Sequence, residues 1–231
     1  MRGDVARMTE AITIDVWSDV ACPWCYIGKR RLESGISLFQ ESGGHAPEIT
    51  VTYHSFELAP DAPLDSAENE EEFLAVSKGL DREQVRAMFQ QVSAVASSVG
   101  LTYDFDHVTH ANTRRAHELI HFAAAHDKHH EMVEKLFAAH FVEDRHVGLI
   151  SELADLAADL GLDREEVVAA LEREEYSAAV REDEERAGEL GITGVPFFVI
   201  DGRYGVSGAQ EPSTFARALE TVLAERESVS S

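Results

Sequence analysis

The chain contains two cysteines, Cys22 and Cys25, and only Pro23 and Trp24 separate them. Two thiols at this spacing can exchange a disulfide, because the thiolate of one attacks a disulfide sulfur and the second thiol resolves the mixed disulfide. No further cysteine is present for a structural disulfide or for a four-thiolate zinc site. The pair therefore predicts redox chemistry that needs no cofactor, with Cys22 as the nucleophile and Cys25 as the resolving thiol.

The residues around the motif predict how it is positioned. Residues Ile12 to Trp17 alternate between apolar and polar side chains, as in a half-buried strand. Pro23 suits the first position of a helix, because the N–H group that proline lacks would have no helical partner there. Cys22 would then lie at the N terminus of a helix, where free N–H groups and the helix dipole favour a thiolate. Cys25 would be less exposed, one turn later.

The rest of the chain predicts a mixed α/β fold with a large all-helical insertion. A second strand is predicted over Glu48 to Leu58, and helical periodicity then continues from Glu68 to about Gly191. Pro196 to Ile200 indicate another strand, and Asp201-Gly202 is typical of a tight hairpin turn in which both residues need positive φ. The predicted division is 1–62 for the first part of the sheet domain, 63–190 for the helical insertion and 191–231 for the second part of the sheet domain.

The composition excludes several classes of partner. With 20 basic and 43 acidic residues the net charge is −23, which opposes non-specific binding to nucleic acid or anionic lipid. No apolar run is long enough for a membrane span, and Met1 to Glu10 lack the apolar segment of a signal peptide. We therefore expect a cytoplasmic, acidic protein with no nucleic-acid or membrane partner.

Three stretches resemble the DsbA-like group of the thioredoxin superfamily and, within it, the FrnE-type oxidoreductases: Asp19 to Gly28, Gly191 to Phe198 and Val206 to Gln210. The resemblance implies a thioredoxin-like fold for the sheet domain. It implies a substrate that is a disulfide- or thiol-containing protein or small molecule. It also implies a cis peptide bond between Val195 and Pro196, next to the redox pair, where backbone groups pair with the substrate.

The residues of the motif distinguish this chain from similar families. Isomerases and kappa-like glutathione transferases resemble it in fold but carry serine at the position of Cys22, so disulfide exchange is favoured here. Strongly oxidising relatives carry Pro-His between the cysteines, whereas this chain has Pro23 and Trp24, which we expect to support the site. The direction of electron transfer is therefore left open, as is a homodimer formed through the helical insertion.

A second motif, His117-Glu118-Leu119-Ile120-His121, matches the pattern of a zinc-dependent hydrolase on a predicted helix. Arg114, one turn earlier on the same face, disfavours a divalent ion, and no clear third ligand follows. We therefore expect no metal, and a solvated or inter-helix face for the two histidines. Glu182 to Glu185 are likewise expected to be solvated. A further alternative is a redox-inactive module that binds a peptide or small molecule, which the intact cysteine pair disfavours.

Overall fold

The computed structural model of the protein describes residues 11–41, 47–66 and 68–229, and the predicted features of Met1 to Glu10 lie outside them. The strands in these ranges are β1 Ile12–Ser18, β2 Ile49–Ser55, β3 Phe197–Ile200 and β4 Tyr204–Ser207. The helices are α1 Pro23–Glu41, α2 Glu70–Lys78, α3 Arg82–Ser98, α4 Arg114–Ala124, α5 His129–Phe141, α6 Ile150–Asp159, α7 Arg164–Glu172, α8 Ser177–Glu189 and α9 Pro212–Val229. None of these helices is long and apolar enough to cross a membrane.

The strands form one mixed sheet in the order β2-β1-β3-β4. β1 runs parallel to β2 and antiparallel to β3, and β3 pairs with β4 as a hairpin. The alternation of side chains along β1 places Ile12, Ile14 and Val16 in the core, as predicted. Asp201 and Gly202 have φ angles of 55° and 65°, which confirms the predicted tight turn.

Helices α1 and α9 pack side by side, and this contact positions the helix that carries the cysteine motif. A Cβ atom at Gly35 of α1 would lie 2.7 Å from Phe215 Cβ and 2.7 Å from the Pro212 carbonyl oxygen of α9. Any larger residue would force the two helices apart. Phe215 also packs edge-on against Phe198 of β3, so the helix pair and the sheet share one core.

Seven helices, α2 to α8, lie between β2 and β3 and confirm the predicted helical insertion. The insertion packs directly on the sheet domain, since α5 and α8 both contact β2. Phe137 of α5 stacks on Tyr26 of α1, with ring centroids 5.0 Å apart. One continuous hydrophobic core thus spans both parts of the molecule. The boundaries drawn at residues 62/63 and 190/191 stay a prediction.

β2 is shorter than predicted, because it ends at Ser55 and not at Leu58. Beyond Ser55 the backbone N–H groups bind carboxylates in place of a neighbouring strand. Glu57 N donates to Glu184 Oε1 at 3.1 Å, and Leu58 N donates to Asp19 Oδ2 at 2.7 Å. These acceptors lie far away in sequence, so the local alternation of apolar residues could not reveal where the strand ends.

Candidate active site

The cysteine pair lies at the junction of β1 and α1. α1 begins at Pro23, as predicted, which places Cys22 immediately before the helix and Cys25 in its first turn. The Cys25 N–H donates to the Cys22 carbonyl oxygen at 3.0 Å, and the two cysteines, both free thiols, approach to 3.3 Å. Both are buried, with 5% of Cys22 and 2% of Cys25 exposed. The two sulfurs are therefore close enough to join with little backbone movement.

The two thiols lie in different electrostatic surroundings. Burial raises the pKa of the Cys25 thiol well above its usual value, and the neighbouring Cys22 raises it further. Hydrogen bonds with the Asp19 backbone and the Ser18 side chain act in the opposite direction. Cys25 is therefore a neutral thiol at neutral pH. Cys22 lies immediately before α1, at the positive end of the helix dipole.

The loop before β3 contacts Cys22 through Val195 and approaches α1 through Pro196. The Cys22 thiol lies 3.7 Å from the Val195 carbonyl oxygen, within hydrogen-bonding distance for sulfur. The Val195–Pro196 peptide bond is cis. A Cβ atom at Gly28 of α1 would lie 3.0 Å from Pro196 Cγ, so glycine at this position permits the close approach of the loop. Two residues that are 173 positions apart in the sequence, Cys22 and Val195, thus lie in contact.

Pro23 and Trp24, the other predicted site residues, lie beside a cavity of about 470 Å³ that also contacts Cys22. Trp24 is 39% exposed, which is unusual for so large an apolar side chain. The Pro23 carbonyl oxygen accepts a hydrogen bond of 2.7 Å from the Tyr103 hydroxyl. Because Tyr103 belongs to the segment between α3 and α4, this bond attaches the helical insertion to the motif.

The cavity beside Cys22 lies between the motif and helices α2 and α3. Its walls are mainly apolar and include Leu58, Phe73, Leu74, Met88, Phe89 and Val92. Polar side chains interrupt these walls, among them a pair in which His110 Nδ1 lies 2.8 Å from a carboxylate oxygen of Glu70. Concave sites with this mixture of apolar walls and a few polar groups are typical of ligand binding.

Asp19, three residues before Cys22, is a buried carboxylate that the sequence analysis missed as a functional residue. Its carboxylate accepts from the Leu58 N–H and lies 3.3 Å from His117 Nε2, and the Thr113 side chain hydrogen bonds to it as well. Although burial opposes both shifts, the pairing lowers the pKa of Asp19 and raises the pKa of His117. The one feature of the sequence that could have indicated the burial of Asp19 is its position directly before the apolar Val20 and Ala21.

The two histidines of the zinc-hydrolase pattern do not share a site. His117 is 2% exposed and faces Asp19, whereas His121 Nε2 lies 3.1 Å from an Asp183 carboxylate oxygen. Of the two expected surroundings, solvent or neighbouring helices, His117 has the second, because α4 contacts α5, α6, α7 and α8 and buries its histidine face as well as its apolar face. Among the described residues, no group of three or more His, Cys, Asp or Glu side chains is placed to hold a metal ion.

The expectation that Glu182 to Glu185 are solvated is wrong for Asp183. Its carboxylate lies 2.7 Å from His54 Nδ1 and accepts a hydrogen bond of 2.8 Å from the Ser55 N–H. Although burial opposes the shift, hydrogen bonds with Asp15 and Asp183 raise the pKa of His54 to about 9. Helix α8 is therefore attached to the sheet through charged groups, which a run of acidic residues does not reveal by itself.

Most of the chain matches a known protein family. The family model of the DSBA-like thioredoxin domain matches residues 13–220. This chain belongs to that family. The match extends from β1 into α9 and spans the helical insertion, which confirms the DsbA-like resemblance and the thioredoxin-like fold. The FrnE-type subgroup stays a prediction.

Three individual proteins are similar to this chain over nearly its whole length. The uncharacterized protein YwbO of Bacillus subtilis (strain 168) is 30% identical over 213 residues, which cover 90% of this chain and 96% of YwbO. The crystal structure of the probable DsbA oxidoreductase SCO1869 from Streptomyces coelicolor is 37% identical, with a TM-score of 0.86 and coverage of 93% of this chain and 91% of that chain. The cytosolic disulfide reductase DsbM from Pseudomonas aeruginosa is similar in fold, with a TM-score of 0.64, 20% identity and coverage of 92% and 98%.

Proposed function

We propose that this protein is a thiol-disulfide oxidoreductase in which Cys22 is the nucleophile and Cys25 the resolving thiol. One observation carries the proposal: two free thiols meet at the start of α1, and the second is buried and held neutral. Such an unequal pair suits disulfide exchange, because one sulfur must attack while the other stays a thiol until the mixed disulfide has formed.

In the reductive direction the Cys22 thiolate attacks a substrate disulfide, which forms a mixed disulfide and releases one substrate thiolate. Cys25 then loses its proton and attacks the Cys22 sulfur, which releases the second substrate thiolate and leaves a Cys22–Cys25 disulfide. Two electrons pass from the cysteine pair to the substrate. Oxidation of a dithiol substrate follows the same steps in reverse, and neither direction needs a cofactor.

The cavity beside Cys22 supports a substrate, protein or small molecule, that carries an apolar group next to its disulfide. Trp24, Leu58 and Met88 are exposed large apolar side chains, and all three line this cavity. An apolar group bound there would remove these surfaces from water, which is favourable by about 25 cal/mol per Å² buried. The Val195 carbonyl oxygen, already near the Cys22 thiol, is the group that we propose to align the backbone of an extended substrate.

Iodoacetamide is expected to alkylate Cys22 about tenfold or more faster than Cys25 near pH 7, because the thiolate is the reactive form and Cys25 is held protonated. The rates are measured on the reduced protein by mass spectrometry of peptides at successive times. Single Cys22→Ser and Cys25→Ser variants then give the rate of each remaining thiol separately. Equal rates, or a faster Cys25, would contradict the assigned roles.

Met88→Glu is expected to raise the KM for a peptide disulfide with a flanking aromatic residue about tenfold, because a charge in the apolar wall must stay hydrated and opposes binding. The alkylation rate of Cys22 should not change. Val76→Glu is the matched control, since Val76 lies on α2, is 80% exposed and does not line the cavity. An equal KM in both variants would remove the cavity from the substrate site.

Two assays separate this function from its alternatives. A redox-inactive binding module would leave the reduction of insulin by dithiothreitol at its uncatalysed rate, whereas an oxidoreductase accelerates it. A zinc-dependent hydrolase would purify with one zinc ion per chain and lose it on replacement of His117 and His121. The separate carboxylate partners of these two histidines favour the oxidoreductase.

We also propose a cytoplasmic location without nucleic-acid or membrane partners. The net charge of −23 and the commitment of both cysteines to one motif support this. The structurally similar DsbM is itself described as cytosolic. A homodimer through the helical insertion stays a prediction.

A further inference from the structure

The Cys25 thiol is 2% exposed and must lose its proton before it can attack Cys22. Water cannot reach so buried a sulfur directly, so the proton needs a polar neighbour. Ser18, at the end of β1, is the polar side chain that hydrogen bonds to the Cys25 thiol besides Cys22 itself. Ser18 is also buried, at 7% exposed, so the proton must pass beyond it to reach solvent.

Ser18 also lines a second, much smaller cavity. This cavity has a volume of about 10 Å³, which is the space that one water molecule requires. Four polar side chains line it, those of Ser18, His54, Ser55 and His117, and the rest of the wall is aliphatic and aromatic. A buried water needs two to four polar partners, and this set provides them.

The small cavity leads towards the surface. The Ser55 hydroxyl lies 3.1 Å from His121 Nε2, and the side chains of His121 and His54 are each 22% exposed. The small cavity shares no lining residue with the large cavity beside Cys22. A substrate bound in the large cavity would therefore leave this polar route open.

We propose that Ser18, a water molecule in the small cavity, Ser55 and the partly exposed His121 form a proton relay that deprotonates Cys25 in the resolving step. The inference rests on the proposed function. The Cys25 S–H bond breaks and its proton passes through the relay to solvent. The Cys25 sulfur bonds to Cys22, the bond between Cys22 and the substrate sulfur breaks, and the substrate leaves as a thiolate that takes a proton from solvent.

The charges around the relay favour an incoming proton. Asp15 and Asp183 face His54, and Asp19, Glu57 and Glu184 face His117. His129 of α5 faces His130, His121 and His54, and burial together with these three neighbours lowers its pKa to about 4, so it adds no positive charge near pH 7. Tyr53 and Tyr103 face the thiols and have raised pKa values through burial, so they stay neutral. Carboxylates thus predominate along the route.

Stopped-flow reaction of the reduced protein with the chromogenic disulfide DTNB tests the relay, because DTNB releases one coloured thiolate at each step. The first release reports attack by Cys22, and the second reports attack by Cys25. Ser18→Ala and Ser55→Ala are expected to slow the second release about tenfold at pH 7, with the first release unchanged. The difference should narrow towards pH 9.5, where hydroxide can replace the relay.

Ser34→Ala is the matched control, since Ser34 is an exposed serine of α1 whose hydroxyl bonds only its own helix. The two relay variants lie on different strands, so a folding defect in one, detected by its unfolding midpoint, leaves the other as the test. A second release at the wild-type rate, or one slowed equally at every pH, would overturn the relay. Loss of the first release in the wild type would instead overturn the proposed function, and the relay with it.

Discussion

Cys25→Ser is expected to accumulate a covalent mixed disulfide with its substrate, whereas Cys22→Ser should form none. The reason is that, in the proposed mechanism, Cys22 forms the covalent intermediate and Cys25 attacks it within the same molecule to release the substrate. Turnover should fall about a thousandfold or more in either variant, as when a covalent nucleophile is removed from an enzyme. The trapped species is detected on non-reducing gels after incubation with an excess of a disulfide-bonded protein.

The double variant Cys22→Ser/Cys25→Ser is the control for this experiment, because it keeps the shape of the site but has no thiol. It should give no adduct, and dithiothreitol should dissolve the adduct of Cys25→Ser. Trapping by Cys22→Ser and not by Cys25→Ser would exchange the two roles. Trapping by neither variant would contradict the covalent mechanism.

His117→Ala is expected to lower the free energy of unfolding by about 3–5 kcal/mol, because it leaves the Asp19 carboxylate charged, buried and without its cationic partner. The change is measured by urea denaturation at pH 5.5. His126→Ala is the matched control, since His126 is an exposed histidine near the end of the same helix region. The control should change the stability by about 0.5 kcal/mol or less.

The cost of His117→Ala should depend on pH in a defined direction. The lowered pKa of Asp19 means that its contribution is present above the unfolded value of about 4 and is lost as the pH falls through the folded pKa. The raised pKa of His117 means that its contribution is present below about pH 6.5 and is lost as the pH rises through the folded pKa. The cost should therefore be largest between about pH 4 and 6.5. A cost that is the same at every pH would show that only packing is lost.

This pair also connects the chemistry to the architecture. Asp19 belongs to the loop that leads into the cysteine motif, and His117 belongs to α4 of the insertion. The hydrogen bond from Tyr103 to the Pro23 carbonyl makes a second connection between the same two parts. The helical insertion therefore forms part of the wall of the large cavity and also holds the start of α1. A change in the packing of the insertion should thus alter the positions of the cysteines.

The features that the sequence alone determined depend on interactions between residues that are only a few positions apart. Alternation defines β1, Pro23 defines the start of α1, and Asp201-Gly202 define the hairpin turn, because each follows from local backbone geometry and hydrogen bonding. The two cysteines are three positions apart, which places both of them at the first turn of α1. For this reason the position of the cysteine pair could be predicted without a structure.

Only the tertiary structure decided which distant groups surround that pair. Asp19 and His117 are 98 residues apart, Ser55 and Asp183 are 128 apart, and Cys22 and Val195 are 173 apart. A histidine or an acidic residue on a helix looks the same in sequence whether it meets water or a buried partner. Packing decides between the two, because a charge that several helices enclose must be paired with an opposite charge, and the insertion brings those charges close to the cysteine pair.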